Sequence, residues 1–145
     1  MTCDEYLAKR VKELVPGAGA TLSRTAVGGG CINNAELLDA GSGLKLFLKR
    51  NQSSIHGLFA AEAAGLEVLK EGGPRVPRVI GLHDDGKEQL ILLEYIPEGR
   101  KGPGFWDRFG RELAALHRLT DSRGFGFSTD NHIGATEQPN RWTPR

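Results

Sequence analysis

The spacing of the strand-like segments constrains the fold of this chain more than any other feature. Five short segments rich in apolar residues lie between residues 20 and 96, and one helix-like segment interrupts them. Neighbouring strands of a parallel sheet need crossover connections of about a dozen residues or more, and the turns here are shorter. We therefore predict an α+β fold, in which a five-stranded antiparallel sheet has a helix packed on one side.

The predicted strands are separated by turn residues. The segment Gly41-Ser42-Gly43 is typical of a hairpin turn between two strands, and Asp84-Asp85-Gly86 indicates a second tight turn. These turns place the five strands over residues 20–27, 36–40, 44–49, 79–82 and 89–96.

The helices are indicated by capping residues and by apolar residues at helical spacing. Residues 2–5 have the spacing of a capping box, which predicts a first helix over about 3–15. Residues 53–54 are serines and are candidate caps for a second helix, whose apolar stripe covers residues 59–69.

A segment rich in proline and glycine separates the strands from the C-terminal part. Residues 97–104 contain two prolines and three glycines, a composition typical of a hinge or linker. A helix over about 106–119 follows, and we expect its apolar face, including His117, to be buried against further helices. Left uncovered, such a face promotes aggregation. The apolar face of this helix consists of Trp106, Phe109, Leu113 and Leu116.

The tail over residues 121–145 has no clear period, and we do not expect it to fold by itself.

The composition argues against several classes of function. A net charge of +1, with 26% charged residues, gives no bulk attraction to nucleic acid or to a membrane surface. No apolar run reaches the roughly 20 residues that cross a bilayer. Two cysteines do not make a disulfide framework, and the histidines lack metal-ligand spacing. We expect a cytoplasmic protein with no nucleic-acid partner, no membrane partner and no zinc site.

Three consecutive glycines, Gly28, Gly29 and Gly30, lie between two predicted strands. Such residues let backbone N–H groups approach a phosphate without a side chain in the way, although a plain tight turn explains them equally well. Two other nucleotide-binding motifs do not fit, because no Gly-Lys-Ser/Thr is present and no helix begins after the glycines. The remaining candidate is a glycine-rich loop in a hairpin, as in kinases.

A lysine and a glutamate after this loop are candidates for an ion pair. Lys49 ends a predicted strand, and Glu62 lies within the apolar stripe of the following helix. A carboxylate buried there is costly without a cation, and a strand lysine paired with a helix glutamate binds nucleotide phosphates in kinases. An exposed Lys49 and a Glu62 at the rim of the stripe remain the alternative.

The last predicted strand becomes polar just before the linker. Glu94, Tyr95 and Ile96 end this strand, which alone is compatible with any core strand entering a loop. Placed after a glycine-rich loop, a lysine and a glutamate, these residues match the hinge where adenine bonds to backbone groups.

Several motifs together resemble the fructosamine kinase (ketosamine-3-kinase) family, a member of the protein-kinase-like superfamily. The resemblance covers nearly the whole chain, and the stretch Gln138–Trp142 is the most specific to this family. The motifs are Gly28–Asn33, Phe47–Lys49, Phe59–Leu66, Leu113–His117 and Ile133–Asn140.

The resemblance implies a fold, a reaction and a set of site residues. It implies an ATP-binding N-terminal lobe over 1–96, a hinge over 97–104 and, over 105–145, the first helix of an incomplete helical C-terminal lobe. The reaction would be ATP- and Mg²⁺-dependent phosphorylation of the sugar O3' of a ketosamine, free or on a glycated protein, which leads to deglycation. The ATP-binding residues would be Gly28, Gly29, Gly30, Cys31, Ile32, Asn33, Lys49, Glu62, Glu94, Tyr95 and Ile96.

The catalytic residues of this family have no counterpart in the 145 residues. The family's His-Gly-Asp loop is absent, and Asp107, Asp121 and Asp130 are interpreted as structural. We therefore expect the catalytic base to lie beyond Arg145, and this chain to be the N-terminal half of such a kinase and inactive by itself. Two alternatives remain: another small-molecule kinase, such as an aminoglycoside or choline phosphotransferase, and a non-catalytic nucleotide-binding module.

Cys31 follows the glycines and is a candidate for redox control. Backbone donors and a nearby lysine favour a thiolate, and an intermolecular disulfide would join two copies into a homodimer. A small residue tolerated in a tight turn is the alternative interpretation.

Overall fold

A computed structural model describes residues 1–15, 22–28, 33–41, 43–52 and 55–144 of the chain. The elements in chain order are α1 (Cys3–Leu14), β1 (Ser23–Ala26), β2 (Asn34–Asp39), β3 (Lys45–Asn51), α2 (Leu58–Leu69), β4 (Val79–Asp84), β5 (Gln89–Glu94), α3 (Phe105–His117), β6 (Asn131–Ile133) and β7 (Thr136–Gln138). The main sheet has five antiparallel strands, as the sequence predicts, and the structure orders them β1-β2-β3-β5-β4.

The first helix begins with the predicted capping box. The Thr2 hydroxyl accepts a hydrogen bond from the Glu5 backbone N–H, and the Glu5 carboxylate accepts one from the Thr2 N–H. These two bonds satisfy backbone donors that the first turn of a helix leaves unpaired. Leu7 and Val11 lie on the buried side of α1 and pack against one face of the sheet.

The second helix covers the opposite face of the sheet. Phe59 is fully buried there against Ile91 and Leu93, and Leu66 packs beside them. The prediction of a helix on one side was therefore incomplete, because α1 covers the other face. Only the side-chain contacts of α1 decide this, since its amphipathic pattern does not say which surface it packs on.

The strand β5 lies between β3 and β4 and is buried on both faces, because helices cover both. Leu90 and Leu92 point toward α1, and Ile91 and Leu93 point toward α2. All four are at most 3% exposed, which explains why this strand reads as a continuous apolar run and not as an alternating one.

The start of α2 differs from the expectation. The helix begins at Leu58 after Gly57, which has φ 72° and supplies no side-chain cap. The predicted caps at 53–54 lie outside the described residues. The side chain that caps α2 comes instead from β5.

The C-terminal part contains more structure than the sequence pattern indicates. The strands β6 and β7 form a hairpin, and Phe125 exchanges two backbone hydrogen bonds with Thr143. The strand β6 also contacts α2. The sequence did not predict this hairpin, because its strands are short and it packs on an element distant in sequence.

The helix α3 has an apolar face that the described residues cover only in part. Trp106 is 65% exposed and Phe109 is 37% exposed, whereas Leu116 packs on Gly73. His117 is exposed in the described part of the chain, so its expected burial against further helices stays a prediction. Its position lies just outside the packed side of the helix.

Candidate functional site

The centre of the candidate site is an ion pair between β3 and α2. The Lys49 Nζ lies 2.6 Å from the Glu62 Oε1. The two side chains are 28% and 27% exposed, so the pair is partly withdrawn from water. Partial burial strengthens the attraction relative to a surface pair, and it holds the lysine ammonium at a defined position.

The alternation of β3 directs Lys49 toward α2. Phe47 and Asn51 lie on the same face of the strand as Lys49, whereas Leu46 and Leu48 lie on the α1 face. The helical period then places Glu62 one turn after Phe59, the residue that anchors α2 on the sheet. Each half of the pair is thus positioned by local periodicity and by one buried contact.

The residues that flank the predicted phosphate loop end β1 and begin β2. The Val27 N–H donates to the Ala35 carbonyl at 2.8 Å, which closes the β1–β2 hairpin. Ala35 is the direct cross-strand partner of Lys49. The β2 end of the predicted phosphate loop therefore lies one strand away from the lysine, and the β1 end lies two strands away. Residues 29–32, including Gly29, Gly30, Cys31 and Ile32, lie outside the described residues; Gly28 and Asn33 lie within them.

An apolar row crosses the same face of the sheet next to Lys49. Leu37, Phe47 and Leu93 are aligned as cross-strand partners on β2, β3 and β5. Leu37 and Phe47 are only half-buried, so they offer apolar surface that a flat ring system can cover. Lys49 is two positions after Phe47 on β3, so the two rows are about 7 Å apart.

The predicted hinge residues follow directly on β5. The Glu94 backbone N–H donates to the Arg78 carbonyl at 2.9 Å. Within the described part of the chain, no backbone hydrogen bond joins Tyr95 or Ile96 to another backbone group. The hinge follows Leu93 along β5, on the side of the apolar row that faces away from Lys49.

The Glu94 side chain is occupied on the other face of the sheet. Its carboxylate accepts hydrogen bonds from the Arg78 backbone N–H and from the Arg75 guanidinium. These bonds, first that of Arg78 and then that of Arg75, lower the pKa of Glu94. Any role of Glu94 in binding adenine would therefore fall to its backbone carbonyl.

The described residues do not gather ligands for a magnesium ion. No group of three or more His, Cys, Asp or Glu side chains that could hold a metal ion is found within the described ranges. Asp107 and Asp121 pair with Arg111 and Arg123, and Asp130 accepts from the Asn140 N–H at 2.7 Å. These carboxylates thus have structural partners, and the described part of the chain does not fit a magnesium site.

The expected position of the catalytic base, beyond Arg145, is not reached by the described residues. These residues end at Pro144, so Arg145 itself lies outside them. The position of the base therefore stays a prediction from the sequence.

Sequence reasoning missed two buried polar residues near the ion pair. Asn51 and Gln89 are each 5% exposed on the α2 side of the sheet. The sequence shows only that each is a polar residue at one end of an apolar strand. Many exposed residues next to turns have the same pattern, so it does not indicate burial.

The sheet, its helices and the ion pair define a class of protein. A five-stranded antiparallel sheet, with a strand lysine paired to a glutamate of the next helix, forms the N-terminal lobe of protein-kinase-like proteins.

No helix in the described ranges is long and apolar enough to cross a membrane.

The sequence of this lobe belongs to a particular family. The family model for fructosamine kinase matches residues 5–145, so the chain is a member of the fructosamine kinase family. The "Probable ketoamine kinase" of Synechocystis is 44% identical over 140 residues, which are 96% of this chain and 47% of the relative. The chloroplastic protein-ribulosamine 3-kinase of Arabidopsis thaliana is 41% identical over 125 residues, which are 81% of this chain and 36% of the relative. The chain spans about half the length, or less, of these relatives.

Solved structures support the fold. A "putative fructosamine-3-kinase" from Thermobifida fusca is 29% identical with a TM-score of 0.72, and the match covers 95% of this chain and 47% of that one. A second such structure, from Haemophilus somnus, has a TM-score of 0.79 at 24% identity, and the match covers 94% of this chain and 46% of that one. The kinase-like N-terminal lobe is thereby confirmed.

Proposed function

We propose that this chain binds ATP on the α2 side of its sheet. The observation that carries the proposal is the Lys49–Glu62 ion pair beside the closed end of the β1–β2 hairpin. The lysine would hold the α- and β-phosphates, and backbone groups of residues 28–33 would cover them. The adenine ring would lie on the apolar row of Leu37 and Phe47, with its edge toward Tyr95 and Ile96.

The register of the strands supports one direction for the nucleotide. Along β5, Ile91 is opposite Lys49, Leu93 is opposite Phe47, and the hinge comes next. A nucleotide with its phosphates at Lys49 and its base toward the hinge would span the row of Lys49 and the apolar row. Its phosphates would then meet the charged surface and its base the apolar surface.

The reaction that we propose is the phosphorylation of a ketosamine, as part of deglycation repair. The relatives are named as ketoamine and ribulosamine 3-kinases, and the nucleotide lobe is one half of such a site. The 145 residues contain no His-Gly-Asp and no described carboxylate cluster, so we propose that they bind nucleotide but do not transfer its phosphoryl group by themselves. The catalytic base would come from sequence beyond Arg145, and Mg²⁺ would accompany the ATP.

Nucleotide binding is tested by the thermal shift that Mg-ATP produces in the 145-residue chain. Binding to the folded state raises the melting temperature, and millimolar ATP reveals even weak affinity. We expect a shift in the wild type that Lys49→Ala removes. The matched control is Lys45→Ala, which changes an exposed lysine on the same strand and should leave the shift unchanged. A cooperatively melting wild type without a shift, or a shift that survives in Lys49→Ala, contradicts the proposal.

The substrate class is tested with a chimera that continues this chain with the C-terminal half of the Synechocystis relative. We expect it to phosphorylate a fructosamine and not kanamycin or choline. The unextended chain is expected to phosphorylate none of them. Transfer to an aminoglycoside or to choline by the chimera would favour another small-molecule kinase.

The proposed homodimer through Cys31 stays a prediction, because this residue lies outside the described residues. A cytoplasmic location, also a prediction, would keep the thiol reduced until an oxidant appears. An oxidant-dependent dimer on a non-reducing gel, absent in Cys31→Ser, is the expected result; an unchanged monomer band contradicts it.

A further inference from the structure

Two buried amide side chains lie side by side on the face of the sheet that α2 covers. Asn51 and Gln89 are direct cross-strand partners on β3 and β5. Within the described part of the chain they are the two buried polar side chains, each 5% exposed. Burying an amide is costly unless its groups are hydrogen-bonded, so their partners show what the pair holds in place.

Gln89 serves as the cap of α2. Its Nε2 donates to the Ile55 carbonyl at 2.6 Å, and its Oε1 accepts from the Phe59 N–H at 3.4 Å. The residue before the helix, Gly57, offers no side chain for this purpose. A residue of β5, 30 positions after Phe59, therefore binds the first turn of the helix to the sheet.

Asn51 extends the connection to the entrance of β2. Its Nδ2 donates to the Asn33 Oδ1 at 2.7 Å. Asn33 comes immediately before β2 and is the last residue of the predicted phosphate loop. The buried pair thus contacts the start of β2 on one side and the start of α2 on the other.

Both residues of the Lys49–Glu62 ion pair lie close to these hydrogen bonds. Lys49 precedes Asn51 by two residues on the same face of β3, and Glu62 follows Phe59 by three residues in α2. At 2.6 Å, the ion pair tolerates little movement of the first turn of α2.

Resting on the proposed function, we propose that Asn51 and Gln89 are positioning residues that hold Glu62 against Lys49. They connect the start of β2 at Asn33 to the first turn of α2. Strand pairing links Asn51 to Gln89, so we expect a change at Asn33 to reach the helix that carries Glu62.

The connection is tested first without nucleotide, by amide hydrogen exchange in the first turn of α2. Asn33→Ala removes the acceptor for Asn51, and loss of one such hydrogen bond should speed exchange over residues 58–62 about fivefold. Gln89→Met removes the cap directly, keeps the side-chain volume, and should speed exchange in the same residues at least as much.

The matched control is Asn34→Ala, which changes the neighbouring asparagine, an exposed residue. Exchange in α2 should stay at the wild-type rate in this variant, and exchange in α1 should be unchanged in all three. If Asn33→Ala leaves residues 58–62 at the wild-type rate while Gln89→Met speeds them, the connection from Asn33 is refuted.

A double-mutant cycle on Mg-ATP affinity tests whether Gln89 acts through Glu62. Gln89→Met should weaken affinity several-fold in the wild type, but should have no further effect in a Glu62→Gln background. Equal losses in both backgrounds would show that Gln89 is merely structural and would overturn the proposal. If the wild type shows no affinity for Mg-ATP, the proposed function fails, and the exchange experiment still decides the connection.

Discussion

The Oε1 of Glu62 lies 2.6 Å from the Nζ of Lys49, so a helix and a strand are joined by one ion pair. About a quarter of each side chain is exposed. On the outer side of the same helix, Glu67 pairs with Lys70 at the same distance, but Glu67 is 57% exposed. Water screens the outer pair more strongly, so the attraction between its charges is weaker even though the two distances are equal.

We expect Glu62→Gln to weaken binding of Mg-ATP about tenfold, or about 1.4 kcal/mol. The amide retains the size of the side chain but removes the charge that orients Lys49. The measurement is the dissociation constant by calorimetry, with Glu67→Gln as the control that should bind like the wild type. Equal affinities in the two variants would show that the ion pair does not organise the site.

We expect Gly73→Ala to lower the free energy of unfolding by about 1–3 kcal/mol. Gly73 has φ +117°, and an added Cβ would lie 2.9 Å from the Cβ of Leu116. Gly65→Ala is the contrasting variant, because a Cβ in this part of α2 meets nothing within 4 Å. It should raise stability by up to about 1 kcal/mol. Urea unfolding of both variants measures the difference, and a stable Gly73→Ala would contradict the packing of α3 on this turn.

We expect stability to fall between pH 9 and pH 11 because of Cys3. Burial, aided by the carboxylates of Asp85 and Glu88, raises the pKa of this thiol from 9.0 to about 11. The contribution is fully present below pH 9. It is lost as the pH rises toward the folded pKa, because the unfolded thiol ionises first. At about 1.4 kcal/mol per pKa unit, the loss reaches at most about 3 kcal/mol.

The measurement is urea unfolding at pH 8 and pH 11 for the wild type and for Cys3→Ala. The replacement lowers stability at both pH values, but its cost should be smaller at the higher pH. A cost that does not change with pH would mean that the thiol is not withdrawn from water in the folded state.

We expect Trp106→Glu to reduce self-association without a large loss of stability. Trp106 is 65% exposed on α3, so its replacement should change the free energy of unfolding by less than about 0.5 kcal/mol. Leu116→Ala changes the packed side of the same helix and should cost about 2 kcal/mol. Sedimentation velocity and urea unfolding together separate the effects; unchanged association in Trp106→Glu would contradict the prediction.

Local patterns were sufficient to predict much of this fold. The capping box at Thr2 and the turns at Gly41 and Gly86 depend on residues within a few positions of one another, and all three are present. The contact between Lys49 and Glu62 was also predictable, because the strand period and the helix period each place one side chain on the shared face.

Other features could not be predicted because they depend on residues far apart in sequence. The cap of α2 comes from Gln89, and the backbone N–H of Cys3 donates to Asp85, 82 residues away. The strands β6 and β7 are too short for a periodic signal, and their pairing and packing on α2 give them order.

The sequence by itself determined the order of the elements from α1 to α3, the antiparallel sheet and the family, because these depend on periodicity, turn chemistry and motifs along the chain. Tertiary structure alone decided that helices cover both faces of the sheet and that Asn51 and Gln89 bind the start of α2. The physical reason is that a buried amide or an apolar stripe specifies only that a partner is needed. Which partner it meets depends on how distant segments pack.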